Sequence, residues 1–223
     1  MGKLIINNIV ASKLFLGSTE LNKAYIGNTL VYQKSAPNGV YIKRTNNLLY
    51  TSDNWDIAWN DEAIGVAVIS DSHPDGGFII SKNNADSTKV YGDETISVTG
   101  IITSGDMNTA LKDFSGRTNT DNILNQDETY LTAAYFCAGH SFPNGYGGYL
   151  GALGEWDIAY QNKSEVDKCM EKIGGVAIST SYPYWASTQA SANRAWIFRW
   201  SDGVITSGYK SDTYNVRPFK WLN

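Results

Sequence analysis

The sequence predicts an α+β protein with short antiparallel strands and a few helices, preceded by a small N-terminal β-ribbon. Short apolar runs alternate with turns rich in Gly, Asn and Ser, which is typical of short strands. Several stretches between residues 106 and 173 have helical spacing instead. The chain of 223 residues is 42% hydrophobic and 13% aromatic, which is enough to build a sizeable core.

An internal echo marks the N-terminal segment, which we predict to be an attachment or oligomerisation hairpin over residues 1–35. Within residues 13–32, a short apolar run followed by Gly17-Ser18 is repeated as a second run followed by Gly27-Asn28. Glycine permits the positive φ that tight hairpin turns need. So small a unit cannot bury much by itself, so we expect it to dock on the main domain or on other copies. Its pattern resembles segments of tailed-phage structural proteins that attach a distal domain.

The main domain is predicted to span residues 36–223, with strands first and helices later. Trp55 and Trp59 have the spacing of one helical turn, and a core role is favoured for both. Ser164-Glu-Val-Asp167 resembles a capping box at a helix start. Gly116 is expected to end the first helix. The predicted strands are residues 40–43, 48–50, 64–69 and 78–80, and the predicted helices are residues 106–114, 122–138, 150–160 and a helix from Ser164.

The C-terminal third predicts an antiparallel β-meander. Residues 195–200 alternate with period two, which places Trp196, Phe198 and Trp200 on a core face. Asp202-Gly203 is a strong hairpin signal. We expect a closing strand over residues 214–219, in which Pro218 must lie at an edge or at the strand's end.

Charge and composition exclude several classes of function. The net charge is −4 with an isoelectric point near 5.2, and no basic stripe is present, which argues against nucleic-acid binding. No apolar run is long enough to span a bilayer, and the start lacks the features of a signal peptide, so we expect folding in a cytosol. Cys137 and Cys169 are predicted to be two buried thiols, with one bridge as the alternative.

A series of motifs in the C-terminal part carries a family resemblance. They are Gly148-Tyr-Leu-Gly-Ala-Leu-Gly-Glu-Trp156, Ile173-Gly-Gly, Tyr184-Trp-Ala-Ser-Thr-Gln189, Trp200-Ser-Asp-Gly203 and Val216-Arg-Pro-Phe219. Together they resemble the C-type-lectin-fold variable proteins of diversity-generating retroelements, especially the Bacteroides and phage type. The resemblance covers roughly residues 39–219. It implies a rigid C-type lectin-like fold that displays hypervariable residues for binding, as in phage receptor-binding proteins.

The resemblance also implies which positions vary. Diversification in this family acts on adenines of Asn codons, which cannot yield Lys, Gln, Glu, Met or Trp. Gln189, Trp196, Trp200 and Lys210 would therefore belong to a fixed framework. We predict that the exposed, ligand-binding positions are Tyr184, Ala186, Ala190, Asn193, Arg194, Ile197, Arg199, Ser207, Tyr209, Asp212, Thr213 and Asn215. Tyr would supply contact area, and the two arginines are candidate hot spots.

Enzyme interpretations find less support in the sequence. Formylglycine-generating enzymes share the fold but need a reactive cysteine pair near the C-terminal region, whereas Cys137 and Cys169 precede the meander. His73 and His140 are the only histidines, so a three-His metal site is excluded, and residues 71–75 are predicted to be a solvated loop. The Glu-Pro-Asn and Trp-Asn-Asp triplets of calcium-dependent lectins are absent. We therefore expect neither a catalytic residue nor a metal or cofactor.

The function predicted is non-enzymatic recognition of a cell-surface protein or glycan, with a phage tail receptor-binding protein favoured. We expect a homotrimer, attached to other virion or surface-structure proteins through residues 1–35. The location would be a virion or a prophage product, without membrane insertion. The alternative is a carbohydrate-binding or adhesin module of the same fold without diversification.

Overall fold

The computed structural model describes residues 36–127 and 131–222, together with the backbone of short strands between residues 5 and 33. The chain divides into two compact units, Met1–Pro37 and Asn38–Leu222. In the described residues no helix is both long and apolar enough to cross a bilayer.

The first unit consists of antiparallel strand pairs. Strand β1 pairs with β2, β3 with β4, and β5 with β6. The second and third pairs span residues 15–33 and so coincide with the stretch, residues 13–32, where the sequence predicts hairpins. The turns predicted there, Gly17-Ser18 and Gly27-Asn28, lie outside the described residues. The strands are β1 (Ile5–Ile6), β2 (Ile9–Val10), β3 (Phe15–Leu16), β4 (Thr19–Glu20), β5 (Lys23–Ile26) and β6 (Thr29–Gln33).

The second unit mixes strands and helices. Its strands are β7 (Gly39–Arg44), β8 (Leu49–Tyr50), β9 (Ala63–Ile69), β10 (Gly77–Ser81), β11 (Lys89–Val90), β12 (Ser141–Phe142), β13 (Gly145–Tyr146), β14 (Tyr149–Leu150), β15 (Tyr184–Ser191), β16 (Arg194–Phe198), β17 (Ile205–Tyr209), β18 (Thr213–Tyr214) and β19 (Pro218–Trp221). Its α-helices are α1 (Met107–Ala110), α2 (Gly116–Gln126), α3 (Ala133–Ala138), α4 (Leu153–Gln161) and α5 (Lys163–Lys172). The predicted α+β class with antiparallel sheets and few helices is confirmed.

A six-stranded antiparallel sheet forms the base of the unit, in the order β14-β19-β10-β9-β7-β8. Side chains alternate between its faces. Val66 and Val68 of β9 join the main hydrophobic cluster with residues of α4 and α5, whereas Ala67 packs with Ile79 and Phe142 on the other face. Burial on both faces explains why β9 reads as an almost continuous apolar run.

A three-stranded antiparallel sheet, β15-β16-β17, lies in the C-terminal part. Trp156 of α4 joins this sheet to the large one. Its ring centroid lies 6.0 Å from that of Phe198 in β16 and 4.9 Å from that of Phe219 in β19. The rings thus form one continuous aromatic core between the two sheets.

Gly116 begins a helix, so the prediction that it ends one is wrong. Helix α1 covers only Met107–Ala110, and α2 runs from Gly116 to Gln126. A Cβ at Gly116 would lie 2.7 Å from Cε2 of Tyr149 and 2.9 Å from the backbone nitrogen of Ala152. The glycine is therefore needed for close packing rather than for a helix stop.

The single helix predicted over residues 122–138 is instead two helices, α2 and α3. Helix α2 ends at Gln126, and the carboxylate of its C-cap residue, Asp127, accepts the backbone N–H of Asp93 at 2.7 Å. Helix α3 starts after Thr132, whose hydroxyl accepts the N–H of Tyr135. A side-chain contact at one end and an N-cap at the other thus separate the helices.

The capping box predicted at Ser164 is wrong as well. Helix α5 begins at Lys163 after Asn162, so Ser164 is already helical. The carboxylate of Asp167 instead accepts the indole N–H of Trp200 at 2.8 Å and pairs with Lys163. Asp167, which the local pattern assigned to a capping box, therefore makes tertiary contacts instead.

Near the start of the domain, two 3₁₀ turns, Ser52–Asn54 and Ile57–Glu62, replace the single helical turn predicted around Trp55 and Trp59. The two rings still meet edge to face at 5.6 Å, and Trp55 is buried in the main cluster.

The closing strand leaves the meander. The sequence predicts a strand over residues 214–219, but Thr213–Tyr214 pairs with β11, and Pro218–Trp221 enters the large sheet between β14 and β10. Pro218 is the first residue of β19, where a missing N–H is tolerated. Strand β19 is therefore an interior strand of the larger sheet.

Candidate functional site

The small sheet β15-β16-β17 carries most of the predicted binding residues. Its strands pair in register from Arg194 opposite Tyr209 to Phe198 opposite Ile205. Register irregularities interrupt β15 on both sides of Gln189. Strand β17 pairs only with β16 among the described strands, so it forms an edge of this sheet. The site is thus a short ribbon with one open edge.

A buried polar cluster fixes the loop of residues 96–103 to this sheet. The ammonium of Lys210 donates to the carbonyl of Ile96 and to Oε1 of Gln189, both at 2.6 Å. The Gln189 amide in turn donates to the carbonyl of Val98 at 2.7 Å and to the hydroxyl of Thr103 at 3.0 Å. Burial lowers the pKa of Lys210 to about 8. Gln189 and Lys210, two of the four predicted framework residues, therefore connect the sheet to the loop of residues 96–103.

Indole groups attach the sheet to its surroundings in the same way. Trp185 donates to the carbonyl of Lys89 at 2.8 Å, and Trp196 donates to the carbonyl of Ser104 at 3.0 Å. Trp200 donates to Asp167 on α5. Gln189, Trp196, Trp200 and Lys210, the four positions predicted as framework, are all buried.

Three of the twelve predicted positions are not exposed, so the expectation of exposure is wrong for Tyr184, Ala186 and Ile197. Tyr184 and Ala186 belong to the main hydrophobic cluster. Ile197 is 3% exposed and packs in a second cluster with Trp185 and Val216. The cause is that both faces of the sheet are covered, whereas the prediction assumed one solvent-facing side.

Nine predicted positions remain accessible to solvent, and we call them the C-terminal surface. They are Asn193, Tyr209, Asp212 and Thr213, which are exposed, and Ala190, Arg194, Arg199, Ser207 and Asn215, which are half-buried.

The two arginines of the C-terminal surface are held in place by neighbours. The Arg194 guanidinium lies 4.3 Å from the ring centroid of Tyr209, and its Nε donates to the hydroxyl of Ser207 at 3.0 Å. Arg199 forms a two-point ion pair with Asp202 at 2.8 and 2.7 Å. That exposed pair raises the pKa of Arg199 and lowers the pKa of Asp202. Arg194 and Tyr209 thus form one ordered, accessible pair.

The prediction missed some exposed residues nearby. Tyr182 is 65% exposed, and Asn215 of the C-terminal surface donates its amide to the Tyr182 carbonyl at 3.0 Å. Val204 precedes β17 and is 42% exposed. Tyr182 stands before Pro183 in a turn-rich stretch, and that local signal could have identified it.

A second polar region surrounds His73, which the sequence places in a solvated loop. Asp71 and Asp75 are exposed, but His73 is buried, so this prediction is wrong for the histidine. Its Nε2 lies 3.2 Å from Oε1 of Glu155, and its Nδ1 accepts the backbone N–H of Asp75 at 3.1 Å. Burial raises the pKa of the Glu155 carboxyl. The loop therefore turns its histidine inward to a buried acid.

The cysteines are buried, as predicted, and unbridged. Cys137 lies in the second cluster and Cys169 in the main cluster, so the fold does not bring them together. Burial raises the pKa of Cys137 well above its usual range and that of Cys169 to about 12. Both thiols are therefore protonated at neutral pH and are poor nucleophiles.

A serine–histidine contact lies on the large sheet. The Ser81 hydroxyl is 3.0 Å from Nε2 of His140, whose pKa is lowered by burial and by the charges of Arg217 and Lys220. Ser81 is 1% exposed and also accepts the N–H of Asn83. Its oxygen is thus closed to a substrate. Across the described ranges, no group of three or more His, Cys, Asp and Glu residues could hold a metal ion.

Comparison with known proteins gives a structural neighbour. No family model matches the chain. No curated protein matches it. A crystal structure of a fimbrial protein from Bacteroides ovatus is similar, with a TM-score of 0.63 and 16% sequence identity, over 85% of this chain and 50% of that chain. The chain therefore spans about half the length of the fimbrial protein, and the likeness at this identity is one of fold.

Proposed function

We propose that this chain is a non-enzymatic binding protein that recognises a cell-surface receptor through its C-terminal surface. The observation that carries the proposal is the contrast within one small sheet. The framework side chains of this sheet and its adjoining turns are buried and hydrogen-bonded to neighbouring segments, while the side chains of the C-terminal surface are Tyr, Arg, Ser, Thr, Asn, Asp and one Ala. A rigid base with changeable polar and aromatic side chains is the arrangement used by antibody paratopes.

The Arg194–Tyr209 pair is the anchor of the proposed surface. Tyr offers a large amphipathic contact area with few rotatable bonds, and Arg and Tyr are both frequent at binding hot spots. The hydrogen bonds of Arg194 to Ser207 hold the pair in position before binding. Less side-chain entropy is then lost when a receptor binds.

A C-type lectin-like fold with diversified positions is the finer form of this proposal. Its support is that the four positions that adenine-directed diversification cannot reach are buried, whereas the nine residues of the C-terminal surface are accessible. Comparison of sibling genes tests it. Differences should concentrate at the C-terminal surface, and an even spread along the chain would contradict diversification.

We assign the chain to a structure outside the host cell, either a phage tail or a bacterial surface appendage. The motif in residues 13–32 supports attachment to a larger particle, and homotrimers are expected by analogy with tail tips. The fold likeness to a fimbrial protein supports a surface role and favours the second candidate, a non-diversified adhesin or carbohydrate-binding module. Neither the receptor-binding protein nor the adhesin or carbohydrate-binding module would be an enzyme.

Binding to intact bacteria tests receptor recognition. Fluorescently labelled protein should bind a susceptible strain, and the substitutions Arg194→Ala and Tyr209→Ala should each weaken binding at least about tenfold, as hot-spot truncations do. Lys112→Ala, at an exposed position outside the C-terminal surface, serves as the control and should bind normally. Unchanged binding by both surface variants would overturn the proposal. A glycan array with and without chelator tests for calcium-dependent lectin activity.

A further inference from the structure

A cavity of about 430 Å³ opens in the second unit, beside the start of α2 and the turn between β9 and β10. None of its lining residues belongs to the C-terminal surface. Its volume falls within the range of natural small-ligand sites, about 300–1,000 Å³. The cavity therefore has the size of a binding site that the proposed function does not use.

The floor of the cavity is a satisfied hydrogen-bond cluster. Oε1 of Glu155 accepts the Tyr149 hydroxyl at 2.8 Å and faces His73, and Oε2 accepts the backbone N–H of Ala152 at 2.6 Å. Since Nδ1 of His73 accepts the N–H of Asp75, the ring proton is on Nε2 and is donated to Glu155. His73 and Tyr149 thus both donate to the Glu155 carboxylate, so the polar groups of the floor are paired with one another.

The mouth of the cavity carries side chains of a different kind. Asp75, Ser115, Arg117, Thr118 and Asp121 line it and are all exposed. Within the described residues, none of these five side chains makes a hydrogen bond to the protein. They comprise two carboxylates that accept, one guanidinium that donates, and two hydroxyls that do both. The mouth thus offers unused donors and acceptors close together.

Aromatic rings complete the walls. Phe114 and Trp221 are half-buried and line the cavity. The guanidinium of Arg117 lies 4.4 Å from the ring centroid of Trp221, which holds the fork in place without using its hydrogen-bond donors. The ring of Phe114 meets His73 at 5.9 Å, edge to face. One wall is therefore apolar while the rim is polar.

This combination selects the chemistry of a ligand. An anion would face Asp75 and Asp121, and a cation would face Arg117. A neutral polyhydroxylated molecule avoids both conflicts, because each hydroxyl can donate to a carboxylate and accept from the guanidinium or a side-chain hydroxyl. Its C–H faces can pack on the aromatic wall.

We propose that this cavity is a binding site for a neutral saccharide, a mono- or disaccharide in size. Arg117 and Asp121 are the specificity-determining residues because they offer opposite hydrogen-bonding roles from one face of α2. Asp75 contributes acceptors from the turn between β9 and β10. Glu155, His73 and Tyr149 form the fixed floor and are positioning residues.

Titration of the whole protein with a panel of neutral sugars tests the site. The probes are glucose, galactose, mannose, N-acetylglucosamine, maltose and lactose, with choline and phosphate as charged controls, and binding is followed by amide NMR shifts. At least one sugar should shift amides of residues 73–77 and 114–121 in a saturable way, with a dissociation constant in the millimolar range that weak single-site binding gives. If no sugar shifts these amides, or if only choline or phosphate does, the proposal is overturned.

Surface variants separate the site from general effects. Arg117→Ala and Asp121→Asn should each weaken sugar binding about tenfold or more, and Arg117→Lys should weaken it too because the planar fork is lost. Lys112→Ala and Asp61→Asn change exposed charges outside the cavity and should bind like the wild type. Equal binding by all variants would overturn the assignment. These positions lie outside the C-terminal surface, so the variants should bind the receptor normally. Failure of the sugar-binding proposal would therefore leave the receptor-binding proposal intact, and the reverse also holds.

Discussion

Tyr184 and Tyr209 show how differently two tyrosines of one small sheet are used. Tyr184 is buried, and its hydroxyl accepts the N–H of Ser179 at 2.8 Å and contacts Asn84. Tyr209 is 47% exposed and lies under Arg194. Both residues are tyrosines at the end of a strand, so they differ in burial: Tyr184 belongs to the core and Tyr209 to the surface.

We predict stability effects of very different size for the two residues. Tyr184→Ala should lower the free energy of unfolding by about 3–5 kcal/mol, as for other large aromatic side chains removed from a core. Tyr209→Ala should change it by less than about 1 kcal/mol, because its contacts are exposed. Urea unfolding measures both. Similar losses for the two variants would contradict the division into core and surface.

Lys210 gives a second prediction at the residue scale. Lys210→Met should cost about 1–3 kcal/mol, because the carbonyl of Ile96 and Oε1 of Gln189 lose a donor in a buried place. Denaturant unfolding at neutral pH measures this cost, and Lys112→Ala at the surface should cost little.

The pH dependence of the same variant follows from the lowered pKa. Between pH 8 and pH 10.5 the folded chain has released the Lys210 proton while the unfolded chain still holds it. The unfolded state then binds more protons, so this group makes the free energy of unfolding rise with pH in that window. The stability difference between wild type and Lys210→Met should therefore grow from pH 8 to 10.5, and a constant or shrinking difference would contradict the shift.

The sequence predicted residue roles where local alternation decides them and failed where remote segments do. Trp196 and Phe198 alternate into the core as expected. Ile197 lies on the opposite face, yet residues 91–101 and Val216 cover it. No periodicity within a strand reveals which distant loop covers its second face. The same limit applies to His73, whose partner Glu155 is far away in the chain.

At the scale of elements, Gly116 shows how a local pattern can place a helix boundary wrongly. A glycine after a helical stretch commonly ends a helix, but here it begins α2 because Tyr149 and Glu155 come close to its backbone. Helix ends were therefore set by tertiary contacts, whereas strands β7, β9 and β10 followed their apolar runs directly.

We predict that Gly116→Ala destabilises the protein by about 2 kcal/mol or more, although alanine is the better helix former. The new methyl group would overlap Tyr149 and the carboxylate of Glu155. Gly139→Ala is the matched control, since its nearest neighbour is the carbonyl of Tyr135 at 3.5 Å, an ordinary contact. Thermal unfolding of both variants measures the difference. A stabilised Gly116→Ala would show that the site can relax.

At the scale of the whole molecule, the aromatic core around Trp156 makes the two sheets of the second unit depend on each other. Trp156 contacts Tyr184 and Phe198 of the small sheet and Phe219 of the large one. The composition predicted a large aromatic core, but which rings would join the sheets depended on the position of β19, which the sequence did not show.

We expect Trp156→Ala to lower the free energy of unfolding by about 3–5 kcal/mol and to weaken both sheets together. Far-ultraviolet circular dichroism and near-ultraviolet tertiary signals should then give coincident transitions. Trp59→Ala, which removes a half-buried indole elsewhere, is the control and should cost less. Separate transitions in the Trp156 variant would show that the sheets are independent.

Strand β19 has a kinetic consequence. It pairs Phe78 with Trp221 and Tyr149 with Phe219, so this side of the large sheet is completed by contacts between segments far apart in the chain. Closing such long loops costs entropy before any contact repays it, and folding slows as the mean sequence separation of contacts grows. The C-terminal surface takes no part in these pairings. We therefore expect that exchanging its side chains leaves the entropic cost of placing β19 unchanged.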